Sequence, residues 1–69
     1  MKVAVQYIHQ DEEWLVLGQD ARQREFARFS KKWDALEYAW RCQEDPKCGV
    51  TGVEIYDREG NFRFETVAE

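Results

Sequence analysis

With 69 residues, 43% of them hydrophobic and 35% charged, the chain has room for one domain, spanning 1–69, around one small core. A chain this short buries only about 60% of the surface its unfolded form exposes, so a disulfide, a metal or a second subunit is the usual source of extra stability. The net charge of −4, from 10 basic and 14 acidic residues, argues against holding nucleic acid by bulk charge, and no apolar run approaches the ~20 residues of a membrane span.

Met1-Lys2-Val3-Ala4-Val5 alternates as a strand does and lacks the pattern of a secretory signal, which points to the cytoplasm. The alternation continues from Lys2 to His9, with Val3, Val5 and Tyr7 on one side of a half-buried strand. Gln10-Asp11-Glu12 is a polar reversal. Glu13 to Leu17 reads as a second strand, apolar on both faces, and the two make a hairpin. Gly18-Gln19-Asp20-Ala21 breaks that strand, and Arg24 to Phe29 forms a short third one.

Ser30 is the expected N-cap of a single helix, because its hydroxyl can accept a bond from a first-turn amide. Asp34 complements the positive end of the helix dipole. At about 100° per residue, Cys42, Ala35, Ala39, Leu36, Trp40 and Trp33 share one arc, and Asp34, Glu37, Tyr38 and Arg41 take the opposite side. The helix stops before Asp45-Pro46, since a residue preceding proline avoids helical angles. Val50 to Tyr56 is a fourth strand with Val53 and Ile55 inward. Asp57-Arg58-Glu59-Gly60 is a tight turn, and Asn61 to Val67 returns as a fifth strand with Phe62 and Phe64 on one face. The fold class is therefore α+β: a small antiparallel sheet, in the order β-β-β-α-β-β, with one amphipathic helix on one face.

The chemistry-bearing residues are sparse. His9 is the only histidine and has no serine, cysteine or carboxylate at a telling spacing, so neither a catalytic triad nor a metal set is supported, and no cofactor motif is present. Cys42 and Cys48 lie six apart and can meet across the helix end, but the cytoplasmic reading favours free thiols. Asp11-Glu12-Glu13 and Glu44-Asp45 read as solvated turns, because adjacent carboxylates do not converge on one ion without a shaped loop.

Three pieces of the chain resemble a family of small bacterial domains of unknown function. They are the strand piece Trp14-Leu15-Val16, the helix opening Phe29, Ser30, Ala35 and Ala39, and the hairpin Asp57-Arg58-Glu59-Gly60. The family outline is W-x-V, then F-x-T-x-x-x-A-x-x-x-A, then D-x-x-G, and its pieces occur in order across most of the chain, with Ser30 one residue ahead of the family's threonine position, which is Lys31. The resemblance implies a fold and no catalytic activity. Trp33 and Trp40 depart from it, standing where the family is usually polar.

Three surfaces are candidates for function. Trp33, Glu37 and Trp40 lie along one helix edge, where the two indoles either form a patch for a protein partner or widen a small core. Leu15, Leu17 and Tyr56 lie on the sheet face that one helix leaves uncovered, and such a face favours a homodimer. Arg22, Arg24, Arg28, Lys31 and Lys32 stand against Glu25 alone, a local charge of +4 interleaved with Phe26 and Phe29, a composition that suits single-stranded nucleic acid. The remaining −8 works against that reading. The sequence thus points to a non-enzymatic protein–protein interaction module, homodimeric, such as an accessory protein or a phage-encoded inhibitor that acts by covering a surface. A nucleic-acid-associated protein using residues 22–32 is the alternative.

Overall fold

A computed structural model describes residues 1–19 and 24–67. Five strands and a helix follow in the expected order: β1 Lys2–Ile8, β2 Glu13–Gly18, β3 Glu25–Phe29, α1 Lys32–Glu44, β4 Gly52–Tyr56 and β5 Phe62–Val67. They make one five-stranded sheet, ordered β3-β2-β1-β4-β5, with α1 packed on one face.

The sheet is mixed rather than wholly antiparallel. β1, β2 and β3 form a meander, so β3 runs in the direction of β1. α1 then carries the chain back to the end at which β1 starts, and β4 leaves in the same direction. It pairs with β1 in parallel, Val3 opposite Val53 and Val5 opposite Ile55. Parallel neighbours require such a crossover, which a helix supplies. The amide of Thr51 closes the entrance to β4 by donating to the carbonyl of Met1 at 2.8 Å.

The pleat puts Val3, Val5, Trp14, Val16, Val53 and Ile55 on one face, all buried, and α1 presses Ala35, Leu36, Ala39 and Cys42 onto them. Each large aliphatic side chain sealed there contributes about 1.5–3 kcal/mol. Val53 and Ile55 are the inward pair read from their alternation. Tyr38 departs from its expected polar side. It is half-buried, and its ring lies 5.6 Å from that of Phe29. The reason is its place beside the Ala35–Cys42 row, from which a long aromatic side chain reaches sideways to β3.

The start of α1 also differs from expectation. Ser30 does not cap it; Lys31 occupies the cap position, extended at φ −116 and ψ 139, and makes no side-chain cap bond. Phe29 is still paired with Trp14 in the sheet, so the chain needs both Ser30 and Lys31 to turn before helical angles begin. A residue able to cap is therefore missing where the backbone is ready for one. Lys31→Ser is expected to stabilise the fold by about 0.5–1 kcal/mol, read as a higher urea midpoint with an unchanged slope. The other end is as expected: Asp45, held extended before Pro46, donates its amide to the carbonyls of Arg41 and Cys42 at 3.1 and 3.3 Å.

Candidate functional site

Among the described residues, four large apolar side chains remain exposed: Trp33 at 72%, Phe62 at 54%, Phe64 at 47% and Val67 at 66%. Three of them sit on β5, an edge strand. The fourth belongs to the helix flank that looks toward β5, and this follows from two contacts. Gln43 and Thr66 exchange hydrogen bonds, Gln43 Nε2 donating to the Thr66 carbonyl and Thr66 Oγ1 donating to Gln43 Oε1, both at 3.1 Å. Tyr38 meanwhile reaches β3 from the other flank. Trp33 and Trp40, seven residues apart, share one flank by α-helical spacing, whereas Glu37, expected beside them, turns toward the Asp34, Tyr38 and Arg41 side and lines a hollow with Phe29.

Trp33 stands free in solvent and Trp40 is half-buried at the rim. The indole N–H of Trp40 is enclosed and meets no acceptor among the described residues, an unmade bond of the kind that costs about 1–3 kcal/mol. Glu37 is exposed and pairs with Arg41 at 2.6 Å, one helical turn on.

β5 is positioned by the turn before it. The Asp57 carboxylate accepts the amides of Glu59 at 3.0 Å and Asn61 at 2.8 Å, and Gly60 supplies a positive φ of 83. The amide of Asn61 above all holds the Asp57 carboxyl below its ordinary range. Tyr56 then pairs with Phe62, and Ile55 with Phe64, leaving Arg63 as an extra residue in β5. This bulge corrects the expectation that Phe62 and Phe64 share a face. Phe62 lies on the open face with Tyr56, ring centroids 5.7 Å apart, and Phe64 lies on the helix side with Ile55. The edge is therefore apolar on both faces.

The opposite edge is different. On β3, Arg28 binds Glu25 at 2.9 Å and Asp11 at 2.9 Å, with Glu13 at 3.7 Å. Charged side chains of this kind discourage strand addition. The same cluster explains Leu15, which was expected to be exposed at a dimer interface. Leu15 is only 6% exposed: it sits in register between Gln6 and Arg28, and Arg28 is held over this face by its three carboxylates. Leu17 and Tyr56 are half-buried, and Tyr56 donates to Glu54 at 3.4 Å. They line a hollow of about 250 Å³ together with Ala4, Gln6, Gly18 and Gln19. A second hollow, of about 290 Å³, lies between Phe29 and the Asp34, Glu37, Tyr38 and Arg41 side of α1. Both fall below the roughly 300–1,000 Å³ of a small-molecule site.

The described basic residues Arg24, Arg28, Lys31 and Lys32 do not gather into one patch. Arg28 is committed to carboxylates on the open face. Lys32 lies on the helix side, 5.6 Å above the Trp14 ring, and Arg24 lies 5.1 Å above Phe26. Lys31 is exposed at the helix start, and Arg22 lies outside the described residues. Cys42 and Cys48 are free thiols. The hydrogen bond that the Cys48 thiol donates to Cys42, followed by partial burial, pushes the Cys48 thiol up, which keeps it protonated and a poor nucleophile. No described helix is long and apolar enough to cross a membrane.

The sequence places Trp33 and Trp40 on the helix that the structure forms, but it does not single out β5 as an exposed apolar edge. The signal was present as Phe62, Phe64 and Val67 on a strand that ends the chain's pairing order. Comparison with protein-family models, curated proteins and solved structures finds no match to this chain.

Proposed function

We propose that the protein is a non-enzymatic interaction module that docks a protein partner along β5 and the tryptophan-bearing flank of α1. What supports this reading is the exposure of Trp33 on α1 and of Phe62, Phe64 and Val67 on the edge strand β5, with the other sheet edge charged. An unpaired strand offers backbone donors and acceptors to an incoming chain, and side chains above and below it supply apolar contact. Tryptophan at the centre of such a patch carries a disproportionate share of binding energy. A module of this kind works by covering a surface. The nucleic-acid alternative has less behind it, since Arg28 is already occupied and Lys32 lies on the opposite face.

Site-specific photocrosslinking tests the reading. A benzophenone side chain is placed at Trp33 or Phe64, and as a control at Glu12 in the β1–β2 turn. Protein adducts are expected from the first two positions and not from the third. Equal yields from all three positions, or adducts to nucleic acid alone, would remove the proposal.

A further inference from the structure

Resting on that reading, we infer that the occupant of the β5 edge is a second copy of this chain, paired antiparallel about a two-fold axis that passes through Phe64.

The register follows from the pleat and the charges. Two identical edge strands that extend one sheet antiparallel are related by an axis normal to the sheet, which keeps both helices on the same face. Side chains opposite each other must then point to the same face, so the axis has to pass through a residue and not between two. The choices at the middle of β5 are Arg63, Phe64 and Glu65. An axis at Arg63 puts two guanidinium groups face to face, and an axis at Glu65 does the same with two carboxylates. Like charges directly opposite are destabilising. An axis at Phe64 puts Arg63 of each copy opposite Glu65 of the other and stacks the two Phe64 rings on the helix side.

Existing contacts fit this arrangement. Glu65 already pairs with Lys2 at 3.1 Å, and Arg63 lies 4.0 Å from Asp57. Joining Arg63 to Glu65 across the axis extends these into one row of alternating charge. The same register brings Val67 of each copy alongside Phe62 of the other, so all three exposed apolar residues of β5 are covered at once. Because both helices lie on one face, their Trp33 and Trp40 flanks look at each other across the Phe64 pair. The interface is isologous and closed, as a two-fold dimer requires, and a standard one of about 800 Å² per partner would take about a sixth of the 4878 Å² surface.

Sedimentation equilibrium of the full chain from about 5 to 500 μM tests the inference. The wild type is expected to approach twice 8.3 kDa. R63E alone, or E65R alone, is expected to weaken association at least tenfold while far-UV circular dichroism remains native. The double exchange R63E/E65R is expected to restore it. A wild type that stays monomeric throughout overturns the inference, as do single variants that associate normally or a double variant that does not recover. The crosslinking experiment separates the two readings: adducts to a different protein from Phe64, with a monomeric wild type, leave the module standing and remove self-pairing. No adducts from that edge remove both.

Discussion

Trp14→Ala is expected to cost about 3–5 kcal/mol of unfolding free energy, the usual range for deleting a buried aromatic side chain. Trp14 is 4% exposed, on the helix-facing side of β2. Its ring lies 5.0 Å from that of Tyr7 on β1, is paired in register with Phe29 on β3, and carries the Lys32 ammonium 5.6 Å above it. One indole thus joins three strands to the first turn of α1. A chain of 69 residues has roughly 3–10 kcal/mol of stability in total at about 0.05–0.15 kcal/mol per residue. The alanine variant should therefore sit at or below the folding threshold, with broad loss of the far-UV signal at 37 °C. Trp14→Phe keeps a ring against Tyr7 and should remain folded with a lower urea midpoint. A loss below about 1 kcal/mol for alanine would mean that the ring is peripheral and that the aliphatic layer alone holds the sheet.

The sequence and the structure agree where a pattern reflects one local rule. Alternation at Val3, Val5, Val53 and Ile55 needs only the two-residue period of a strand, and these four are buried as read. The arc of Ala35, Leu36, Ala39 and Cys42 needs only helical periodicity. The Asp57 to Gly60 turn needs a carboxylate for free amides and a residue that tolerates positive φ, and both are in place.

Disagreement begins where two elements decide the outcome together. The parallel β1–β4 pair depends on which side of the meander the helix delivers the chain, which no local pattern encodes. Leu15 was read as exposed because alternation puts it on the face without a helix. Its burial depends on Arg28, thirteen positions later, meeting Asp11, Glu13 and Glu25 above it. The bulge at Arg63 sends Phe62 and Phe64 to opposite faces, and a simple count of two cannot anticipate an inserted residue. For the same reason the β5 edge was not legible as a surface: its exposure follows from the strand order, with β5 outermost beside β4. Trp33 was legible because helical spacing alone places it at the margin of the apolar arc.

Ala39→Leu is expected to destabilise the protein by about 1–3 kcal/mol, the cost of forcing extra methyl groups into a packed core. Ala35 and Ala39 are fully buried, one helical turn apart, on the layer of Val3, Val5, Val16, Val53 and Ile55. Small side chains at these two positions let the helix backbone come down close to the sheet, and the interior is dense enough that a larger one has nowhere to go. Leucine is nearly as good a helix former as alanine, so the loss isolates packing from propensity. The same closeness accounts for the tryptophans. With alanines directly under the axis, no space remains there for an indole, and Trp33 and Trp40 are displaced to the flank where β5 lies open. Trp33→Ser, measured at low micromolar concentration, is accordingly expected to move stability by no more than about 0.5 kcal/mol, as for an ordinary surface residue. Urea unfolding of both variants under one set of conditions checks the contrast. If Ala39→Leu proved neutral, the helix would be riding on the sheet with slack beneath it, and its tryptophans would have had room inside.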